Sequence, residues 1–585
     1  KILRKAVQIN ANHDVVHLTL GNVLYGLGNI KEAEISTRKA IKLKPDFAEA
    51  YLNLGNILNN LGKLKGAEIF TRKATELKPN YVEAYLNLGN TLNNLGKLKE
   101  AEISTRKAIK LKPDFAEAYL NLGNTLRDLG KLQEALQAYQ KSFDIEPKEI
   151  HRISNLFSIF SKLCLWERIE HYYPYLNIIG IEGKAISPLD LMYLEDNPIN
   201  HLKRAIKFSK VNIKESLAKI NYKKNDIIKI GYFSSDFRNH PVSHLITRVL
   251  ELHDKKEFKI YAYSLHNIED DYTNRIKNAV FLFRNLKDIS DLEIVNIVRE
   301  DNIDIAVDLN GYTKNNRTSI FSYRLAPIQI NYLGYPGTLG SKSFDYIFAD
   351  KILIPENYKK FYVEKVMYLP NSFIPHDNTK KISRNKFSKE MMGLPSEGFI
   401  FTCFNNIQKI TLKEFHIWMN LLKKVDNSVL WIMKPHKSAI ENINYQLKKH
   451  GLTKGRVIYA EKMNLDDHLS RHSCGDLFLD TFNYNAGTTA TDALWAGMPL
   501  ITLLGKSYSA RMGGSILSAC DLHELITQSV SEYECLAYEL ATNKDKLIRI
   551  KRKVKDKINS SFFDTNNFTR GLEKVYAHIA DLHFI

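Results

Sequence analysis

Gly21, Gly55, Gly89 and Gly123 stand 34 residues apart, and Pro45, Pro79, Pro113 and Pro147 keep the same interval. A chain that copies itself at this period folds as stacked supersecondary units, because no single unit can bury its own apolar face. The string ISTRKAIKLKPDFAEAYLNLGN occurs unchanged at 35–56 and again at 103–124, two periods later, as recent duplication would leave it. Within each unit the first half reads like AEAYLNLGN and the second like KEAEISTRKAIKL, with apolar residues at i, i+3, i+4 and i+7. Both halves are amphipathic helices, and stacked pairs must share one continuous core.

The period, the Leu-Gly pair, a second glycine (Gly28, Gly62, Gly96, Gly130) and the closing Lys-Pro or Glu-Pro resemble the tetratricopeptide repeat. Residues 1–148 are therefore expected to form an α-solenoid with a concave inner surface. First helices line that surface, and they carry Asn22, Asn56, Asn90 and Asn124 in one row and Asn53, Asn87 and Asn121 in another. An amide offers donors and an acceptor to the backbone of an extended peptide whatever its sequence. The rows are thus candidates for peptide binding; the alternative is that they bond neighbouring repeats to one another.

At 585 residues the chain exceeds one core, and its 44% hydrophobic and 25% charged content is that of folded, multidomain protein. No run of about 18 apolar residues suggests a membrane span, and Lys1 opens no signal pattern, so a natural start upstream is expected. Five cysteines without C-x-x-C spacing argue against a zinc ribbon or disulfide framework and fit a reducing cytoplasm. The net charge of +18 admits nucleic acid, anionic lipid or an acidic small molecule as partner. Much of it closes second helices as RKAIKLKP, where cations suit the negative end of the helix dipole and no aromatics interleave them. A solvated face is the expected reading, with no nucleic-acid partner. Nothing in the sequence fixes the oligomeric state.

Residues 149–226 stay helical in pattern but lose the period, as a capping and connecting segment would. From Ile227 short β-branched and aromatic runs alternate with helical stretches, first IIKIGYF, KIYAYSL, IDIAVDL, IQINYL and YIFAD. After a polar stretch near 372–398 a second series follows: FIFTCF, SVLWIM, RVIYA, LFLDTF and PLITLL. Two α/β lobes are expected, 227–398 and 399–585, the latter carrying the C-terminal helices. Ligands of such sheets sit beyond the carboxyl ends of strands, so the residues there are the candidates.

After IIKIGYF come Asp236, His240 and His244; Pro241 holds His240 extended, where an imidazole can act as a general base. The turn around Pro336 in LGYPGT lets backbone amides approach a ligand. Asn405, Asn406, Gln408 and Lys409 follow FIFTCF, and Lys409 can point a compact charge at a phosphate. In LDTFNYNAGTTATDALWAG a strand turns through Asn485 and Gly487 into a helix opened by Thr488 and Thr489, a start suited to an anion such as pyrophosphate. His468 and Arg471 follow RVIYA within reach of a nucleotide base or ribose. There is no GxxxxGK[ST], no GxGxxG and no Asp-x-Asp pair, so ATPase, dinucleotide and metal-clamped sugar-transfer readings lack their carriers.

Tetratricopeptide repeats followed in order by FSSDFRNHPVSHL, DLNGYTKNNR, RLAPIQINYLGYPGT, FNNIQKI and LDTFNYNAGTTATDALWAGMPLIT resemble the O-GlcNAc transferase and Spindly-type family of glycosyltransferases. The resemblance implies a GT-B fold of two Rossmann-like lobes and an inverting enzyme needing no metal or other cofactor. Its donor is a nucleotide sugar, UDP-GlcNAc or GDP-fucose, and its acceptors are Ser or Thr of proteins held by the repeats. It further implies that His240 lies beside the acceptor as base or sugar-binding group and that Lys409 neutralises the leaving diphosphate. Thr488 and Thr489 would contact the phosphates, Asp492 the ribose side, His468 and Arg471 the base, and Pro336 the sugar-pocket wall; Asn406, Gln408 and Gly487 join the donor site. Gly487 stands where animal O-GlcNAc enzymes have His, and Gln408 where they have Tyr. AGTT is nearer the Spindly type, which uses GDP-fucose, and NHPVSHL nearer the O-GlcNAc type. The lobes lack the large intervening domain of animal members, a bacterial style. The rival expectation is a repeat scaffold whose transferase part is inactive.

Overall fold

The computed structural model describes residues 2–213 and 225–584, and the chain divides into two compact units: residues 1–159 with 288–294, and residues 160–287 with 295–585. Part of the connecting segment expected at 149–226 therefore lies outside the described residues.

The first unit contains four helix pairs: Asp14–Gly26 with Ile30–Leu43, Ala48–Asn60 with Leu64–Leu77, Val82–Asn94 with Leu98–Leu111, and Ala116–Asp128 with Leu132–Ile145. The conserved spacing of the first glycine has a steric cause. A Cβ on Gly21, Gly55 or Gly89 would lie 2.4, 2.2 or 2.3 Å from the Oγ1 of Thr37, Thr71 or Thr105 on the paired helix, so only glycine lets the two backbones approach this closely. The second glycine ends each first helix at positive φ, 73° at Gly62, the left-handed C′ position that an L side chain resists. Successive second helices are tied on their outer side by ion pairs: Arg72 bonds Glu68 of its own helix and Glu100 of the next, and Arg106 does the same with Glu102 and Glu134. Gly66 interrupts this ladder, and Arg38 instead covers the Phe70 ring at 5.2 Å.

The second unit holds two wholly parallel sheets. The first runs β3-β2-β1-β4-β5-β6-β7, with β1 Ile228–Ser234, β2 Phe258–Ser264, β3 Leu282–Asn285, β4 Ile305–Asp308, β5 Ile328–Asn331, β6 Tyr346–Ala349 and β7 Lys365–Tyr368. The second runs β10-β9-β8-β11-β12-β13, with β8 Ile400–Cys403, β9 Val429–Met433, β10 Val457–Ala460, β11 Leu477–Leu479, β12 Leu500–Leu503 and β13 Ile526–Thr527. Every residue of β4, β5, β6 and β8 is buried, as strands covered by helices on both faces must be. The expected architecture, a helical-repeat solenoid followed by two Rossmann-like lobes, is what the chain adopts.

The C-terminal helix Thr565–Phe584 departs from its expected place. It packs into the first lobe, where Leu572, Tyr576 and Ile579 share a core with Tyr232, Ile246 and Val249. Tyr232 and Tyr576 join hydroxyls at 2.9 Å, and the buried Glu573 carboxylate accepts from Asp254 N–H at 2.8 Å and meets His253 Nδ1 at 3.1 Å.

Candidate active site

In each sheet the strand order reverses direction at one point, between β1 and β4 in the first lobe and between β8 and β11 in the second. Loops leaving the two strands at such a point diverge to opposite faces and open a crevice. His240 follows β1, Lys409 follows β8 and Thr488 follows β11, whereas Pro336 follows β5 and His468 and Arg471 follow β10.

In the first lobe, His240 caps the helix Pro241–Leu252, its Nδ1 accepting from Val242 N–H at 3.3 Å. Its Nε2 faces Asp236 at 3.7 Å. Asp236 is held in turn by Asn310 Nδ2 at 2.8 Å, and Asn310 N–H donates to Asp308 at the end of β4 at 2.8 Å. Burial lowers the His240 pKa and Asp236 opposes the shift, so the ring is neutral near pH 7. With Nδ1 accepting, its proton sits on Nε2. Pro336 is buried in the loop after β5, whose Gly337 carbonyl accepts from Asn331 Nδ2 at 2.9 Å.

The second lobe gathers Lys409 and the Thr488–Trp495 helix into one place. Lys409 Nζ donates to the Asn485 carbonyl at 2.9 Å, three residues before the helix begins. Thr489 Oγ1 donates to Asn405 Oδ1 at 2.6 Å, four residues before the lysine. Gly487 occupies the N-cap with no side-chain cap, leaving the helix start open. Beneath the turn lies Asp480, which receives Ala486 N–H at 2.7 Å, Thr481 N–H at 2.8 Å, Asn405 Nδ2 at 3.1 Å and Thr502 Oγ1 at 2.7 Å. Burial raises its pKa to about 6, and these bonds favour its charged form. Burial lowers that of Lys409 to about 8, against the attraction of Asp480. A lysine poised so is charged near neutrality yet incompletely compensated, the state that an arriving anion relieves.

Asn406 is exposed and caps the short turn at Lys409, accepting from Gln408 N–H at 3.1 Å. Asp492 does not present a vacant carboxylate: the buried Lys380 ammonium donates to it at 2.7 Å. His468 keeps an accessible edge, and burial pushes its pKa down to about 2. Arg471 is turned away from the cleft surface, 1% exposed, with its guanidinium on the Glu461 carbonyl and 4.9 Å from the Phe404 ring centroid. It reaches the site through His468 Nδ1, 2.5 Å from its Nη2. The two lobes meet here: the helix Pro241–Leu252 packs against Thr488–Trp495, and His244, on the former, is lowered to about 4 by burial and by Lys380.

The asparagine rows are engaged between repeats: Asn53 Nδ2 donates to Asn22 Oδ1 at 2.7 Å and Asn87 Nδ2 to Asn56 Oδ1 at 2.9 Å. In the last repeat Tyr139 hydroxyl donates to Asn124 at 2.9 Å. Asn90 is half-buried in the same row. The first two bonds favour the inter-repeat reading for Asn22 and Asn56, whereas Asn124 is engaged within its own helix pair.

Asp480, Lys380 and Tyr484 were not among the sequence candidates. Asp480 directly follows β11 in the LDTF run, the one local signal available; Lys380 sits in a polar stretch that reads as linker.

The profile of glycosyl transferase family 41 matches residues 205–386 and 378–572, and tetratricopeptide repeat profiles match 18–82, 70–103 and 116–149. A protein of Arabidopsis thaliana named probable UDP-N-acetylglucosamine–peptide N-acetylglucosaminyltransferase SEC is 34% identical over 364 residues, 61% of this chain and 37% of that one. A rice protein (Oryza sativa subsp. japonica) of the same enzyme name, SPINDLY, is 33% identical over 361 residues, 60% of this chain and 38% of its own. The chain thus spans less than two fifths of the length of these relatives. A mutant O-GlcNAc transferase of Thermobaculum terrenum superposes with a TM-score of 0.68 at 23% identity, covering 92% of this chain and 98% of that one, a likeness of fold.

Proposed function

The chain belongs to glycosyl transferase family 41, and on that premise we propose that it transfers a sugar, GlcNAc from UDP-GlcNAc as first choice, to Ser or Thr hydroxyls of proteins, with inversion and without a metal. The observation that carries this reading is the convergence of Lys409 and the open start of the Thr488–Trp495 helix, joined through Asn485 and Asn405, at the β8/β11 crevice. A leaving nucleoside diphosphate gains negative charge as the glycosidic bond breaks. An ammonium and free helix amides already aimed at that point stabilise it without reorganising. The relatives named as peptide N-acetylglucosaminyltransferases support the donor and acceptor classes.

An inverting attack comes from the face opposite the diphosphate. The first-lobe crevice, with His240 at its helix start, is the available acceptor side. Neutral His240 has its one lone pair on Val242 N–H, so it serves as a hydrogen-bond donor through Nε2–H toward a sugar or acceptor oxygen. The hydroxyl proton then leaves late, or to a phosphate oxygen of the donor. The repeats supply protein acceptors in this proposal.

The test offers UDP-GlcNAc, other UDP-sugars and GDP-fucose separately, with Ser/Thr peptides and protein acceptors, and reads intact mass. A hexosamine increment from UDP-GlcNAc is expected. Fucose from GDP-fucose alone would replace the donor. Nucleotide binding with no transfer from any donor would overturn the enzyme reading in favour of a scaffold.

A further inference from the structure

Lys409 ends a four-carbon flexible stem, and an ammonium on such a stem needs something to hold it. Among the described residues it makes no ion pair. The charged and titratable groups facing it are few. Asp480, after β11, has both oxygens taken by four donors. The Cys403 thiol of β8 is held neutral by burial. Glu414, on the helix Leu412–Lys424, spends its carboxylate on Thr411 and on Phe482 N–H. What meets the ammonium directly is the face of Tyr484, with Nζ 4.0 Å from the ring centroid, and the Asn485 carbonyl. Tyr484 is itself stacked on Tyr193 of the segment before the first lobe, centroids 5.1 Å apart and planes at 22°. Asn483 Nδ2 ties the two stretches by donating to the Tyr193 carbonyl at 3.1 Å.

We infer that Tyr484, braced by Tyr193, is a positioning residue that holds the Lys409 ammonium at the diphosphate site in place of a carboxylate. The inference rests on the function proposed above. A ring face attracts a cation but cannot take its proton or occupy its remaining N–H donors as a carboxylate would. Donor capacity not spent on the Asn485 carbonyl therefore stays available to an incoming diphosphate, and the π face supports the charged form against the desolvation that opposes it. An acidic partner in the same place would compete with the ligand.

The test compares wild type, Tyr484→Phe, Tyr484→Leu and Tyr193→Leu in the full chain. Binding of UDP and of GDP is measured from pH 6.5 to 10 by calorimetry, and the Lys409 ammonium is titrated without nucleotide by NMR of labelled lysine. Tyr484→Leu should weaken diphosphate binding about 3- to 30-fold and move both the alkaline limb of binding and the lysine titration to lower pH. Tyr484→Phe should keep wild-type values, and Tyr193→Leu should shift them the same way by less. A general packing defect would weaken binding without moving the titration. An unmoved lysine titration in Tyr484→Leu overturns the inference; if that variant does not fold, an unmoved titration in Tyr193→Leu does so. Wild type that binds neither nucleotide, with the titrations as expected, would overturn the proposed function and leave the positioning intact.

Discussion

Replacing Lys409 by methionine should make the folded protein more stable while sharply lowering its transfer activity. Burial lowers the lysine from an ordinary 10.5 to about 8, a difference worth at most about 3 kcal/mol of penalty for keeping the charge in the folded state at pH 7. Methionine fills similar volume without that penalty. The lost hydrogen bond to the Asn485 carbonyl takes back about 1 kcal/mol, leaving a net gain of about 2 kcal/mol. The sign fixes the pH window. Below pH 8 the lysine is charged both folded and unfolded, and the full penalty applies. Between about 8 and 10.5 the unfolded chain holds a proton that the folded one has released, so wild-type stability rises and the gap closes. All four tryptophans, Trp166, Trp418, Trp431 and Trp495, lie in the second unit, so urea titration by tryptophan fluorescence reports that unit alone. Transfer should fall about 100- to 1,000-fold, the usual cost of one preorganised transition-state donor. A Lys409→Met protein no more stable than wild type at pH 7, or a stability gap that persists at pH 10, would refute the reasoning.

Lys380→Ala should cost about 3–5 kcal/mol in the same urea assay, because it strands the buried Asp492 carboxylate. Glu573→Ala should destabilise the first lobe by about 1–3 kcal/mol, since it leaves the buried Asp254 N–H and His253 Nδ1 without their acceptor; hydrogen exchange in β1 and the Pro241–Leu252 helix reads the loss. Gly55→Leu should lower the stability of the repeats by at least about 1–3 kcal/mol, because Thr71 lies where its Cβ must go; circular dichroism together with unchanged tryptophan fluorescence separates this from damage to the second unit.

The repeats were legible in the sequence because their determinants are local and repeated: a glycine that admits a threonine from the paired helix, and a second glycine at positive φ. The site was half legible. Loops after strands can be read from alternating β and helical patterns, and that located His240, Lys409 and Thr488 after the carboxyl ends of β1, β8 and β11. What pairs with what was not legible. Lys380 meets Asp492 across 112 residues, Asn405 meets Thr489 across 84, and Tyr193 meets Tyr484 across 291. No spacing in the chain encodes contacts of that range. Periodicity marks one face of Thr565–Phe584 as apolar but cannot say which lobe receives it. Arg471 illustrates a second blind spot, for a cation beside a candidate pocket reads as ligand-facing, whereas this one lies under two aromatic rings and contacts His468.

The return of Thr565–Phe584 to the first lobe bears on how the protein is made. During translation the strands β1 to β7 emerge long before the helix that completes their core. The nascent first lobe must therefore wait, with Tyr232 and its apolar neighbours uncovered, while the entire second lobe is synthesised. Chaperone demand should concentrate in that interval, and fusions or truncations that disturb 565–584 should fail by aggregation of the first lobe rather than by loss of the second.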